Sequence, residues 1–247
     1  MTRRRWIADE ISGDHAALVG EHADHLVRVL RARVGQEFDI ATGGKVPHGK
    51  VRQDKVRRGR ITSVENARVE FALGEQIPTT SVAEIILLLA IFKFDRMEWA
   101  IEKCTELGVS RIVPVIARRT DSHLAVAATK RVERWQRIAQ QASEQSRRTA
   151  PPEIAAPVKL PEALNFSQGS RIVLSESETQ TILRDVLSPG TVESGIVLAV
   201  GPEGGWTDDE LKSFQQAGWI SASLGSTILR AETAAIAATA ITIATLL

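Results

Sequence analysis

Near-continuous apolar runs recur through the last two thirds of this chain, and they constrain its fold more than any other feature. The run EIILLLAIF, residues 84–92, has the length of one strand. A strand reads as a continuous apolar run when both of its faces are buried, as in a parallel sheet covered by helices. Further runs are RIVPVIA at 111–117, RIVLSE at 171–176, GIVLAVG at 195–201 and WISASLG at 219–225.

Helical patterns lie between and after these runs. They cover residues 95–108, 129–148, 207–218 and 231–247, and the second of them has a basic face. Strands that alternate with helices predict an α/β layer fold with a mostly parallel sheet.

The first 73 residues have a different pattern. Segments such as 36–42, 58–65 and 67–74 alternate in polarity, as half-buried strands do, and one helix is predicted where Leu26, Val27, Leu30 and Val34 recur at helical spacing. We therefore predict a β-rich domain over 1–73, a linker rich in Gly, Pro and Thr over 74–81, and an α/β domain over 82–247. A small β-barrel with a basic loop that contacts RNA and a β-domain without such a role fit the first segment equally well.

The net charge of +1 conceals an uneven distribution. Residues 1–73 carry 14 Lys and Arg against 10 Asp and Glu, and residues 93–150 carry 12 against 7. Residues 151–247 carry 5 against 11. A polyanionic partner would therefore bind to the first 150 residues. Ordinary solvated surface charge explains any one of these segments equally well.

Composition argues against several classes of protein. The single cysteine, Cys104, excludes an internal disulfide, and the five histidines share no metal-ligand spacing, so no metal is expected. The start MTRRRWIADE has no apolar core typical of a signal peptide, and the apolar run 233–247 is too short to span a bilayer. We expect a cytoplasmic protein that does not engage a membrane.

Three of the predicted strands end in loops that could build one pocket. They are LSESE at 174–178, VGPEGG at 200–205 and LGSTILRAET at 224–233. In parallel α/β sheets, ligands bind outside the carboxyl ends of the strands. Glycines let the backbone approach a ligand closely, and a pocket lined by backbone groups suits adenine. A simple strand-to-helix turn would explain Gly-Pro-Glu-Gly-Gly about as often.

Four motifs in this order resemble the ribosomal small-subunit methyltransferase E family of the SPOUT superfamily. They are KFDRMEWAIEKCTELGVSRIVPV at 93–115, QQASEQSRR at 140–148, LAVGPEGGWTDDEL at 198–211 and LGSTILRAETAAIAA at 224–238. Two positions depart from the family pattern. Phe94 stands where the family usually has glycine, and SEQSRR, with Ser143 and Arg147, stands where it usually has AEQSGR.

The resemblance implies both a fold and a reaction. The fold would be an N-terminal PUA-like β-barrel that binds RNA and a C-terminal SPOUT α/β domain with a deep trefoil knot, assembled as a homodimer with the active site near the subunit interface. The reaction would be S-adenosylmethionine-dependent methylation of N3 of a uridine in the 16S rRNA of the 30S subunit. A SPOUT enzyme acting on tRNA and a non-catalytic RNA-binding protein are the alternatives.

S-adenosyl-L-methionine would bind among the three strand-end loops. The residues that the resemblance places around it are Leu174, Ser175, Glu176, Val200, Gly201, Pro202, Glu203, Gly204, Gly205, Leu224, Gly225, Ile228, Leu229, Arg230 and Thr233.

Uracil N3 becomes a good nucleophile only after it loses its proton, so the site must accept that proton or stabilise the resulting anion. Arg230 is the first candidate for the second task, with Arg96 and Arg148 as others, and Glu232 or Glu98 could accept the proton. Glu232 could equally be a carboxylate favoured by a helix N-terminus, and Arg230 a structural salt bridge.

Basic residues outside the cofactor loops are candidates for phosphate contacts, which set affinity and register. They are Arg3, Arg4, Arg5, Lys55, Arg57, Arg58, Lys93, Arg96, Arg118, Arg119, Arg147 and Arg148.

Overall fold

The chain folds into two compact units. Unit 1 comprises Met1–Ser81 and Ser143–Ala150, and unit 2 comprises Val82–Ala142 and Pro151–Leu247. The computed structural model describes residues 5–42, 55–65, 67–78, 84–166, 169–187 and 195–246. Unit 1 is therefore made from two separate stretches of the chain.

The described part of unit 1 contains a curled six-stranded sheet. Its strands are β1 (Arg5–Ile7), β2 (Glu10–Ser12), β3 (His15–Val19), β4 (Glu37–Ala41), β5 (Val56–Glu65) and β6 (Arg68–Ile77). The strand order is β1-β4-β5-β6-β3-β2, and only β1 with β4 is a parallel pair. Two register shifts between β5 and β6 add local twist, as bulges do. Trp6, Leu18, Ile40 and Phe71 fill the core.

Strand β6 extends farther than the sequence pattern suggests. Residues 74–77, which were expected to begin the linker, continue the strand as far as Ile77. Val56 pairs with Ile77 and Arg57 with Gln76, so the long partner strand β5 supplies the hydrogen bonds that keep this segment extended.

A short helical insertion joins β3 to β4. It consists of α1 (Glu21–Asp24) and a π-helical turn over His25–Val29. Leu26 is buried as predicted, but Val34, expected on the same buried face, is 62% exposed. The helical segment ends at Leu30 and Arg31 has a φ of +51°, so Val34 lies beyond the helix and does not share its buried face.

Unit 2 contains a parallel sheet, as the apolar runs predict. Its strands are β7 (Ile85–Ala90), β8 (Arg111–Ile116), β9 (Glu153–Ile154), β10 (Val158–Lys159), β11 (Ser170–Leu174), β12 (Ile196–Val200) and β13 (Ile220–Ala222). The order is β10-β8-β7-β12-β11-β13, with β9 also on β8, and every described pair is parallel.

Strand β7 shows why its sequence is apolar without a break. Leu87 and Leu89 belong to one hydrophobic cluster, whereas Leu88 and Ala90 belong to another on the opposite face. Both faces of the sheet are therefore covered, and neither set of alternate residues reaches solvent.

The helices described from residue 84 onward are α2 (Phe94–Leu107), α3 (Ser122–Gln145), α4 (Leu160–Ala163), α5 (Leu183–Val186), α6 (Asp208–Gln216) and α7 (Ala231–Leu246). Helix α3 begins seven residues earlier than predicted, after Asp121, whose carboxylate accepts a hydrogen bond from His123 N at 2.8 Å. None of the helices described here combines the length and apolarity needed to cross a membrane.

Candidate active site

Three loops leave the same edge of the unit 2 sheet. Strand β11 lies between β12 and β13, and Val173 pairs with Ala199 while Leu174 pairs with Ala222. The backbone N–H of Ser175 donates to Ala222 O at 3.0 Å just beyond the strands. The loops predicted to form a pocket therefore start at the carboxyl ends of three adjacent parallel strands.

Residues 201–205, here called the elbow, form a tight turn against the loop that follows β11. Gly205 N donates to Pro202 O at 2.8 Å, and Gly205 has a φ of +71°. A Cβ at Gly205 would lie 2.8 Å from Glu176 Oε1. The structure thus brings together two of the predicted loops, 174–178 and 200–205, and the positive φ of Gly205 favours glycine where they meet.

The other elbow glycines face protein groups. A Cβ at Gly201 would lie 3.2 Å from Trp206 Nε1, and one at Gly204 would lie 3.2 Å from Arg119 Cδ. The sequence suggested that these glycines make room for a ligand, whereas the structure shows that they also make room for Trp206 and Arg119. A Cβ at Gly225, whose φ is +124°, would meet no atom of the described residues within 4 Å beyond its own chain neighbours.

Arg119 and Glu210 connect the elbow to the loop after β8. The Arg119 guanidinium donates to Gly204 O and, at 3.4 Å, to Trp206 O. Glu210 forms a capping box with Thr207 at the start of α6, and its second oxygen accepts a hydrogen bond from Arg118 N at 2.7 Å. The roles of Glu210 and Trp206 were missed from sequence, although Thr207-x-x-Glu210 is a recognisable capping pattern.

Arg96, Glu203 and Glu232 converge from α2, the elbow and the first turn of α7. Arg96 Nη1 donates to Glu203 Oε1 at 2.7 Å, and Arg96 Nε lies 3.9 Å from Glu232 Oε1. Glu232 is only 4% exposed, and its Oε2 has no hydrogen-bond partner among the described residues. A buried acceptor without a partner is costly, so this oxygen is available to a ligand or to a proton.

Arg230 precedes α7 and is exposed. Within the described ranges its guanidinium makes no hydrogen bond or ion pair, so the structural salt bridge considered from sequence is not seen there. Ile228 beside it is 81% exposed and Leu229 is half-buried. The loop thus presents a cation and apolar surface together, next to the Arg96–Glu232 pair.

Glu98, the second candidate proton acceptor, is held by two arginines of α3. Arg134 donates to both of its oxygens, at 2.7 and 2.8 Å, and Arg131 lies at 3.6 Å. The Arg131 guanidinium also lies over the ring of Phe94, which packs against Trp135. Glu98 therefore joins α2 to α3 and is less suited to accept a proton than Glu232.

Several residues predicted to contact RNA have internal partners. Arg57 donates to Gly74 O at 2.9 Å, Leu73 O at 2.9 Å and Asp14 Oδ1 at 2.7 Å. Arg58 lies 3.8 Å from Glu37 and 3.9 Å from Asp39, and Arg5 donates to Arg147 O at 2.6 Å.

The remaining predicted RNA contacts differ in their surroundings. Lys55, Lys93, Arg118, Arg119 and Arg147 are exposed. Arg148 is half-buried in unit 1, whereas Arg96, Arg230 and Glu232 belong to unit 2. Arg3 and Arg4 lie outside the described residues, as does much of the basic stretch 45–60, since residues 43–54 are not described.

Comparison with known proteins gives concordant matches. Residues 79–243 match the family model described as an RNA methyltransferase domain. Ribosomal RNA small subunit methyltransferase E of Rickettsia conorii is 32% identical over 238 residues, covering 94% of this chain and 87% of the relative. The protein of the same name from Synechocystis is also 32% identical, covering 85% of this chain and 66% of the relative.

Solved structures match over nearly the whole chain. Ribosomal RNA small subunit methyltransferase E from Neisseria gonorrhoeae, bound to S-adenosyl methionine, is 31% identical with a TM-score of 0.79, covering 97% of this chain and 96% of that one. A Legionella pneumophila methyltransferase in complex with the same cofactor is 27% identical with a TM-score of 0.82, covering 99% and 98%.

Proposed function

This chain belongs to the RNA methyltransferase family, with the ribosomal RNA small subunit methyltransferase E proteins as its relatives, and on that premise we propose that it methylates 16S rRNA. The methyl donor is S-adenosylmethionine, and the acceptor is N3 of one uridine in the 30S subunit. The observation that carries the proposal is the convergence of three strand-end loops beside Arg96, Glu232 and Arg230.

The residues at this edge of the sheet fit S-adenosylmethionine. The space beside Gly225 is open, and Ile228 offers apolar surface. Loops 174–178, 200–205 and 224–233 would hold the cofactor, with their backbone groups serving its adenine. When bound, the cofactor supplies an electrophilic methyl group on its sulfonium.

The chain's own residues prepare the base. Glu232, which is buried and has one oxygen without a partner among the described residues, accepts the proton from uracil N3. Arg230 stabilises the negative charge that then spreads over O2 and O4 of the base, because its guanidinium is exposed and has no partner in the described ranges. Arg96 holds Glu203 and lies near Glu232, so it sets the position of both carboxylates.

The proposal includes two features of the fold that the family resemblance implies, the PUA-like barrel and the C-terminal knot. The curled sheet of unit 1 supports a PUA-like barrel. A C-terminal knot is supported by the position of β11 between β12 and β13, and by hydrogen bonds of Ser223 to Thr181 O and from Leu183 N. These bonds hold the loop after β11 against the end of β13, at the end of the domain where the resemblance places the knot.

The active unit is a homodimer. Its interface is supported by a groove of about 480 Å³ between α2 and α7, lined by Trp99, Leu107, Ile236 and Ala237 together with Lys103, Glu106 and Thr233. Trp99 is 48% exposed there, and an exposed indole beside other apolar side chains is typical of a protein interface.

The decisive experiment incubates the protein with labelled S-adenosylmethionine and 30S subunits that lack the modification, and then maps the labelled nucleoside. We expect a single label at N3 of one uridine in 16S rRNA. Label in tRNA, or at another atom of the base, would contradict the proposal. Boiled protein and fully methylated subunits serve as controls.

A further inference from the structure

The helical insertion of unit 1 presents a cluster of arginines outside the proposed active site. Arg28, Arg31 and Arg33 are all exposed, and they lie in or directly after the π-helical turn. Arg28 lies 3.7 Å from Asp24, whereas the guanidinium groups of Arg31 and Arg33 have no partner in the described part of the chain. We call residues 25–34 the arginine turn.

The backbone of the arginine turn is strained at Arg31, whose φ is +51°. A side chain other than glycine is disfavoured in this left-handed region, and such residues persist only where surrounding structure holds them. Here the flanking bonds do so: Ala32 N donates to Leu26 O at 3.2 Å, and Arg33 N donates to Gln36 Oε1 at 3.0 Å. π turns also occur frequently at functional sites.

The surface around these arginines combines charge with apolar contact. Val29 and Val34 are 63% and 62% exposed, which is unusual for large apolar side chains. A Cβ at Gly35 would lie 3.8 Å from Arg60 Nη2, so a fourth guanidinium adjoins the turn. Several cations beside apolar side chains suit a phosphate backbone and its sugars better than a purely apolar partner.

We propose that the arginine turn is an RNA-binding surface on which Arg28, Arg31 and Arg33 contact phosphates. This inference rests on the proposed function, because it takes RNA as the substrate. Ala23 and Leu26, both buried, anchor the insertion to the core of unit 1, so the three guanidinium groups are presented from a rigid base. Arg31 itself is exposed to solvent.

The main test measures binding of the full-length protein to unmethylated 30S subunits and to protein-free 16S rRNA as salt is varied. The triple variant Arg28→Gln, Arg31→Gln, Arg33→Gln should bind both more weakly and should lower the slope of log K against log salt by about 2 to 3 units, at about 0.7 to 0.9 per contact. Lys212→Gln, which removes one exposed charge on α6, is the control for a single charge lost elsewhere on the surface, and it should leave the slope unchanged.

A second variant separates binding from folding. Arg31→Gly removes the guanidinium and relieves the backbone strain, so it should raise Tm while weakening RNA binding. Ala67→Gly relieves a similar φ of +54° without losing charge, so it should raise Tm and leave RNA affinity unchanged.

Unchanged affinity and slope in the triple variant would overturn the proposal. Weaker binding to 30S subunits with normal binding to naked 16S rRNA would also overturn it, because the turn would then contact a ribosomal protein. Methylation is scored separately with labelled cofactor. If the wild-type protein binds RNA but transfers no methyl group, the proposed function is refuted. The binding measurements on the arginine turn still test whether it contacts RNA.

Discussion

Glu232 lies in a costly environment for a carboxylate. It is 4% exposed, Oε1 lies 3.9 Å from Arg96 Nε, and Oε2 has no hydrogen-bond donor among the described residues. Leaving such an acceptor unsatisfied costs about 1–3 kcal/mol. Its position in the first turn of α7, where a negative charge is favoured, offsets part of this cost, and the oxygen without a donor is the one that we propose takes the proton of the base.

Arg230→Ala should lower the single-turnover rate of methyl transfer by on the order of a hundredfold or more, because it removes the cation that we propose stabilises the developing anion. Cofactor affinity, 30S affinity and Tm should change little. Arg230→Lys should recover only part of the rate, since a point charge cannot replace a planar guanidinium. A parallel fall in Tm and cofactor affinity would instead indicate a structural role.

His22 in unit 1 makes stability depend on pH. Its Nδ1 lies 2.8 Å from Asp9 Oδ1 and its Nε2 lies 3.2 Å from Glu144 Oε1. The hydrogen bond to Asp9, followed by the negative charges of Glu144, Asp9 and Glu21, raises the pKa of His22 above its usual value of 6.5, against an opposing effect of burial.

Because the pKa is raised in the folded state, the stabilisation is fully present below the unfolded pKa and is lost as pH rises through the folded pKa. His22→Gln should therefore lower Tm most at about pH 5.5 and least at about pH 8.5. Calorimetry across this range tests it, with His123→Gln, an exposed histidine of α3, as the control. A constant difference in Tm would contradict the expected titration.

At the scale of secondary-structure elements, α6 and the loop after β8 hold the elbow in place. Arg119 donates to carbonyls of the elbow, and Glu210 binds both the start of α6 and Arg118 N. The glycines of the elbow therefore differ from Gly225 in their surroundings. Gly201 is packed against the indole of Trp206, whereas Gly225 faces open space with a φ that side chains rarely adopt.

Gly225→Ala should weaken S-adenosylmethionine binding more than it weakens folding, because it alters the backbone of the loop without a clash. The strain should be on the order of 1–3 kcal/mol. Gly13→Ala, which has a positive φ and open space in unit 1, is the matched control and should leave cofactor affinity unchanged. Calorimetric titration of both variants tests this, and equal cofactor affinity would exclude Gly225 from the site.

Gly201→Val should behave differently and lower Tm, since its side chain would displace Trp206 from the core. Thermal unfolding measured beside cofactor affinity distinguishes the two glycines. A variant with unchanged Tm and no cofactor binding would instead restore the simpler view, in which Gly201 only makes room for the ligand.

At the scale of the whole molecule, the sequence predicted the parallel sheet because runs such as residues 84–92 match strands buried on both faces. It could not predict that β11 lies between β12 and β13, since strand order depends on pairings between distant residues. It also could not show that Arg57 and Glu98 are paired internally, because a basic or acidic residue looks the same in sequence whether it is paired or free.

The proposed dimer gives the fifth prediction. Trp99→Glu should convert the protein to a monomer, because it places a charge in the apolar groove between α2 and α7. Val126→Glu changes an equally apolar residue of α3 that is 81% exposed and lies outside the lining of that groove, and it should leave the dimer intact. Analytical ultracentrifugation measures both. A dimeric Trp99→Glu protein would place the interface elsewhere.

The two-piece construction of unit 1 has a consequence for synthesis on the ribosome. Glu144, which binds His22, and Arg147, whose carbonyl binds Arg5, are translated after all of residues 82–142. At about 5–20 residues per second, the nascent N-terminal sheet waits roughly 3–12 seconds for these partners. Unit 1 therefore cannot mature as an independent first domain, and its completion is delayed until the first strands of unit 2 have been made.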